Sequence, residues 1–318
     1  MRIVFPDAGS NTKNTLTKDL INKIEQVGNF IVYEGVPKSK EEFLRRIKDA
    51  DGLILGQNLP NEVMTECDRL KFISFVGYGV KSYLDIDFAT KQGITIANTP
   101  HYGDNAVAEH ALGLLMTLSK NIVESHTKMR NGIWDKSKSS IELKGKTIGL
   151  VGMGGIGERM SELCMAMGMN VISWTFNPNE KRSEQLGVSF VSLKELFSSS
   201  DFISLHLPYT NQTKNIIGEN ELALLQNGTI LINTARSQLI NQSSLKTALL
   251  DGRLAGAGLD VFDEEPIPQN DTILNIDNVI LTPHISYNTP ESVANMMKIS
   301  VNNLVKYFAG TPINVVNK

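Results

Sequence analysis

The chain has 318 residues, with 31 basic against 34 acidic side chains for a net charge of −3, and 41% of it is hydrophobic and 20% charged. That length exceeds what one hydrophobic core usually serves and points to two domains. The balanced charge and globular composition exclude disorder as the main state and give no electrostatic reason to expect nucleic acid or an anionic membrane as partner.

No apolar run, the stretch Ala111 to Met116 included, approaches the roughly 18–20 residues that span a bilayer. The opening Met1-Arg2-Ile3-Val4-Phe5-Pro6-Asp7 meets an acid before a signal-peptide core develops, so a cytoplasmic location is expected. Cys67 and Cys164 lie too far apart for a disulfide framework or a metal knuckle. Both read as buried structural thiols, and no metal site is expected.

Along the first 98 residues short apolar runs alternate with helical or polar spacers: Ile3-Val4-Phe5, Phe30-Ile31-Val32-Tyr33, Leu53-Ile54-Leu55, Phe72-Ile73-Ser74-Phe75-Val76 and Ile94-Thr95-Ile96. Strands recurring at helix-length spacing predict βα units and a parallel sheet. After Asn98-Thr99-Pro100 the pattern turns helical, with Ala108, Ala111, Leu112 and Leu115 on one face. A second alternation starts at Thr147, with strands predicted at 147–151, 171–175, 202–207, 229–233, 257–261 and 279–281. Six strands suit a complete dinucleotide-binding sheet. The chain closes on a helix capped by Thr289, opened by Pro290 and ended by Gly310, whose Met296 and Met297 read as core filler.

Gly152-Met153-Gly154-Gly155-Ile156-Gly157 follows the strand 147–151 directly and opens a helix expected to bury Met160, Leu163, Cys164 and Met167. Strand, glycines and helix in that order make a phosphate cradle. Gly152 permits the tight turn, Gly154 lets backbone approach a pyrophosphate, and Gly157 allows close packing, with the phosphates at a helix N-terminus. A site for NAD carries an acid at the end of the next strand to hold the adenosine ribose hydroxyls. Eighteen residues beyond Gly157 stands Thr175 instead. A threonine does not repel a 2′-phosphate, and Lys181 and Arg182 lie close in sequence, so NAD is the expected cofactor with NADP admitted.

Three more segments end predicted strands: Asn233-Thr234-Ala235-Arg236-Ser237-Gln238, Gly258-Leu259-Asp260 running on to Glu264-Glu265-Pro266, and Leu281-Thr282-Pro283-His284-Ile285-Ser286. Together with the glycine motif, Val76-Gly77-Tyr78-Gly79, Asn98-Thr99-Pro100, Asn105-Ala106-Val107-Ala108-Glu109-His110 and His206-Leu207-Pro208, they give a chain that closely resembles the D-isomer-specific 2-hydroxyacid dehydrogenases over nearly its whole length. The resemblance implies an α/β protein with a Rossmann-type doubly wound cofactor domain at 99–286. It also implies a smaller flavodoxin-like substrate domain built from 1–98 and 287–318, with the two facing each other across one cleft.

It further implies that Arg236, Glu265 and His284 act together. Reducing a 2-keto acid puts a hydride on the carbonyl carbon and a proton on its oxygen, so the site needs a cation for the carboxylate and an acid for the oxygen. Arg236 offers a rigid fork of donors for the carboxylate. His284 can give and recover a proton near neutral pH, and a Glu265 bonded to it would favour its charged form. By the same resemblance, the backbone N–H groups of Val76 and Gly77 meet the substrate carboxylate, and Thr234 and Asp260 contact the nicotinamide end. Gly155 and Ile156 hold the phosphates, while His206, with Leu207 and Pro208, lines the adenosine pocket. His110 reads as structural or interfacial, and His101 and His126 as surface residues. A homodimer is implied, formed by the helix after Pro100 and by Met129-Arg130-Asn131-Gly132-Ile133-Trp134.

Two departures bear on substrate. Where phosphoglycerate-using members carry an Arg-Ser pair, this chain reads Leu55-Gly56-Gln57-Asn58, with no cation for a phosphate. Ser237-Gln238 replaces the usual glycines after the arginine and brings side chains beside the site. The expected activity is therefore reduction of a small 2-keto acid, glyoxylate and hydroxypyruvate among the variants. The alternative from another class is a protein of the same fold that senses NAD(H) without turnover.

Overall fold

The structure, a computed structural model, describes residues Met1–Asn317. The chain divides into two compact units, one of Met1–Gly103 with the segment from Asn288 onward, the other of Asp104–Tyr287. Both are parallel α/β sheets, and each is taken in turn.

In the first unit the strands are β1 (Arg2–Ala8), β2 (Asn29–Glu34), β3 (Gly52–Leu55), β4 (Phe72–Phe75) and β5 (Thr95–Ala97), in the order β2-β1-β3-β4-β5. That is the flavodoxin-like order, whose switch point lies between β1 and β3. Every residue of β3 and β4 is buried, as parallel strands covered on both faces require. The helix Pro290–Phe308 covers one of those faces: Val293, Met296, Met297, Val301 and Leu304 share a core with Ile3, Phe5, Ile54 and Phe72. Burying such side chains contributes roughly 1.5–3 kcal/mol each, which ties the C-terminal segment to this unit. Its start is fixed locally, because the Thr289 side chain accepts the Ser292 N–H at 3.1 Å.

Two strand ends of this unit carry residues that the resemblance ties to substrate. The Val76 N–H donates to the Leu55 carbonyl at 2.7 Å, so it continues the ladder instead of being free for a carboxylate, as the resemblance implied. Asp7, only 4% exposed near the end of β1, accepts the Gly56 N–H at 3.0 Å. Burial pushes its carboxyl up to about 6. An acid, not a cation, therefore sits against the loop that follows β3.

The second unit holds β6 (Thr147–Val151), β7 (Asn170–Trp174), β8 (Ser189–Phe190), β9 (Phe202–Leu205), β10 (Thr229–Asn233), β11 (Leu254–Leu259) and β12 (Val279–Leu281), ordered β12-β11-β10-β9-β6-β7-β8. Where the sequence predicts six strands the sheet has seven. The addition is β8, two residues at the edge, too short to show a period. β11 starts three residues earlier than predicted because glycines mask it. A Cβ on Gly258 would stand 2.9 Å from Leu114 Cβ, and one on Gly256 would stand 3.2 Å from Leu118, so the helix Asp104–Ser119 lies directly on the bare backbone.

The helix Gly155–Ala166 buries Met160 and Cys164 completely, but Met167 is its C-cap and 41% exposed, outside the inward face assigned to it. Both thiols are buried, and desolvation raises them to about 11 at Cys67 and about 12 at Cys164. They are protonated and unreactive at physiological pH. Among the described residues no helix is long and apolar enough to cross a membrane.

Candidate active site

The register of the second sheet lines up the site. Trp174 pairs with Val151, Val151 with Leu205, Leu205 with Asn233, Asn233 with Leu259, and Leu259 with Leu281. One residue further along each strand stands Thr175, Gly152, His206, Thr234, Asp260 and Thr282. The motifs separated in sequence thus form a single row at the carboxyl edge, with neighbours roughly 4.8 Å apart. Ligands of open α/β sheets bind at this edge.

Next to Thr175, toward one end of the row, lies the glycine turn. Gly152 has φ +106°, and a Cβ there would fall 2.6 Å from the His206 carbonyl oxygen, so only glycine fits. A Cβ on Gly157 would fall 2.3 Å from the Gly152 carbonyl, which lets the helix close onto the turn. At Gly154 the opposite holds, since nothing lies within 4 Å of a Cβ and the backbone is open to a ligand. The helix Gly155–Ala166 starts there and directs its first N–H groups, those of Gly155 and Ile156 among them, into that space.

Buried polar atoms along the row lack protein partners. Thr234 Oγ1, Ser237 Oγ and both ring nitrogens of His206 make no hydrogen bond. Burial holds the His206 imidazole down to about 4, so the ring is neutral. An unpaired buried polar group costs about 1–3 kcal/mol, and a bound molecule that pairs with them recovers it. Open backbone at Gly154, a helix N-terminus and orphaned polar groups together fit a dinucleotide. Leu207 is buried against Gly152, whereas Pro208 is exposed.

At the other end of the row stands acid–base chemistry. His284 Nδ1 lies 2.6 Å from Glu265 Oε2, and Glu265 Oε1 accepts the Phe262 N–H at 3.0 Å. With Nδ1–H donated to the carboxylate, Nε2 is the nitrogen left for a ligand. His284 has φ +51°, an uncommon conformation for a side-chain-bearing residue. Asp260 holds it there. This carboxylate, 0% exposed, accepts the Ile285 N–H at 2.9 Å, the Ser286 N–H at 2.9 Å and the Thr282 hydroxyl at 2.6 Å.

His110 Nε2 lies 3.0 Å from that hydroxyl oxygen and 3.8 Å from Asp260. Asp260 was expected at the nicotinamide, but its oxygens are engaged by the turn and it has no accessible surface. Its oxygens accept instead from the turn that carries His284, and His110 belongs to that network. Sequence reading singled out neither Thr282 nor Ser286, because the bonds that matter come from main-chain N–H groups and a hydroxyl with no motif of its own.

Arg236 follows β10, the strand next to β11, beyond which Asp260 stands. Its Nη1 donates to the Ala235 carbonyl at 2.5 Å, and it forms no ion pair among the described residues. A half-buried guanidinium without a carboxylate partner is ready for an anionic ligand. Ser237, beside it, is 2% exposed and turned inward.

Residues 112–286 match the family model described as D-isomer specific 2-hydroxyacid dehydrogenase, NAD binding domain. The chain belongs to the D-isomer-specific 2-hydroxyacid dehydrogenase family. A D-3-phosphoglycerate dehydrogenase from Methanocaldococcus jannaschii is 37% identical over 95% of this chain, which spans 58% of that relative's length. A glyoxylate reductase from Korarchaeum cryptofilum is 34% identical, with 94% of this chain and 92% of the relative covered. Among solved structures, an acyclic imino acid reductase in complex with NADPH and D-arginine superposes with a TM-score of 0.87 at 30% identity, covering 99% of this chain and all of the other. This dehydrogenase is thus an oxidoreductase that uses a nicotinamide cofactor, and its family acts on small 2-keto and D-2-hydroxy acids.

Proposed function

We propose that this dehydrogenase reduces small, unphosphorylated 2-keto acids to D-2-hydroxy acids, with glyoxylate and hydroxypyruvate the fitting sizes. The observation that carries the reading is the His284–Glu265 pair, set on the same sheet edge as an Arg236 without an ion-pair partner. The cofactor supplies the hydride when bound. The glycine turn with Gly154, Gly155 and Ile156 holds its phosphates, and Thr175, His206 and Thr234 line it along the row. Arg236 binds the substrate carboxylate and polarises the ketone. His284 delivers the proton from Nε2 to the ketone oxygen, and Glu265 keeps the ring oriented. A site that only sensed NAD(H) would have no use for the proton donor. Phosphoglycerate is disfavoured, because the loop after β3 has Asp7 behind it and no cation.

NAD is the cofactor proposed, and Thr175 admits NADP as well. A panel of glyoxylate, hydroxypyruvate, pyruvate and branched 2-keto acids, run with NADH and with NADPH, tests the reading. Turnover of the small unphosphorylated acids is expected. Cofactor binding without any turnover would establish the sensor instead.

The working unit is proposed to be a homodimer. The helix Ile122–Arg130 has no buried residue, and a nine-residue helix without a buried face has little to stabilise it alone. Ile122, Val123, Met129, Ile133 and Trp134 are all exposed, Trp134 by 73%. Light scattering on the eluting protein should give twice the chain mass, and Trp134→Glu should shift it to monomer; a monomeric parent protein would refute the dimer.

A further inference from the structure

Thr175 leaves the ribose end of the row without its acid, yet a carboxylate and a guanidinium do stand beside the glycine turn. Arg182, on the helix Glu180–Leu186, reaches back to it. Its Nη2 donates to the Met153 carbonyl and, at 2.5 Å, to Glu158 Oε1. Met153 lies between the first two glycines, and Glu158 is in the first turn of the helix that follows, so the pair brackets Gly154. Both side chains stay open to water, at 31% for Arg182 and 40% for Glu158. Nη2 makes both contacts, which leaves Nη1 and Nε of Arg182 without an acceptor among the described residues. The neighbouring Lys181 is exposed and makes no ion pair among the described residues.

We propose that Arg182 and Glu158 together set the choice between NADPH and NADH: Arg182 takes a ribose 2′-phosphate, and Glu158 competes with that phosphate for the same guanidinium. The place follows from the register. Thr175 is the residue beyond Trp174, next to Gly152 in the row, and that strand end is where the adenosine ribose hydroxyls are read. Arg182 comes from the segment just after that strand and covers the turn beside it. Its free fork edge suits a phosphate, which accepts two parallel N–H bonds. Glu158 acts in the opposite sense, holding the guanidinium by charge and repelling a second anion placed near it. Attraction and competition on one group give a protein that accepts both cofactors, with a ratio set by the balance. This rests on the reading that the glycine turn takes a dinucleotide.

Calorimetric dissociation constants for NADPH and NADH, with adenosine 2′,5′-bisphosphate and adenosine 5′-monophosphate as fragments, test the proposal without any turnover. Losing a charge-assisted phosphate contact in Arg182→Ala should weaken NADPH and the bisphosphate about tenfold or more, with NADH and the monophosphate within about twofold. Arg182→Lys, which keeps the charge but not the fork, should fall in between and serves if the alanine variant does not fold. Glu158→Gln should move the ratio the other way, tightening NADPH several-fold. An unchanged NADPH to NADH ratio in the Arg182 variants, or weaker NADPH binding in Glu158→Gln, would overturn the assignment. If the parent protein binds neither cofactor, the dinucleotide reading itself is wrong; if it binds both and the variants keep its ratio, only the selector is.

Discussion

Replacing His284 by Ala is expected to lower kcat by about 10²–10⁴ while leaving the dissociation constant of the reduced cofactor within about twofold. The split follows from where the residue sits. His284 lies beyond β12, at the far end of the row from the glycine turn, and its ring is held by Glu265 Oε2 at 2.6 Å. Removing the ring takes away a proton source and leaves the open backbone at Gly154 untouched. Glu265→Gln should show a smaller loss in the same direction. The amide still accepts from Nδ1–H, but a neutral acceptor replaces a charged one, and that exchange costs about 1–1.5 kcal/mol, or roughly 5–13-fold in rate. Steady-state kinetics beside cofactor titrations read both. A fully active His284→Ala would end the general-acid assignment, and a Glu265→Gln variant as active as the parent would mean that orientation, which the amide keeps, and not charge is what Glu265 supplies.

Much of the architecture was readable because buried parallel strands announce themselves. Leu53-Ile54-Leu55 is apolar without a break since both faces are covered, and Thr147–Val151, Thr229–Asn233 and Val279–Leu281 end where turn residues stop them. Concealment occurred where a side chain is absent or short. β11 hides behind Gly256 and Gly258, which are small because the helix Asp104–Ser119 lies on them. The same limit applies at the site. Arg236, Glu265 and His284 stand out by chemical type and by resemblance, but a motif does not say which polar groups are already spent. Val76 reads in sequence as a donor to a carboxylate, yet its N–H donates to the Leu55 carbonyl, and Asp260 reads as a cofactor contact, yet its oxygens accept from the turn that carries His284. Nor does sequence show that Arg182 leans on Glu158, because they lie in different βα units and meet only when β6 and β7 pair.

Asp260 yields the second large effect. Asp260→Ala is expected to cost about 3 kcal/mol of stability, because it removes a fully buried acceptor from the Ile285 and Ser286 N–H groups and the Thr282 hydroxyl at once. Asp260→Asn is the more informative change. Its carbonyl oxygen can replace Oδ1, but its amide nitrogen then faces the Ser286 N–H, donor against donor, where Oδ2 accepted at 2.9 Å. The turn should loosen on that side. A side-chain-bearing residue at φ +51° persists only where its surroundings hold it, so His284 should relax away from the conformation that Asp260 imposes. The expected signature is a folded Asn variant with a lowered melting temperature, a kcat reduced about tenfold or more and cofactor affinity changed far less. A direct nicotinamide contact predicts the reverse pattern, with weakened cofactor binding as the main loss. Thermal melts, single-turnover rates and cofactor titrations on the same variant separate the two, and dominant loss of cofactor affinity would return Asp260 to the cofactor site.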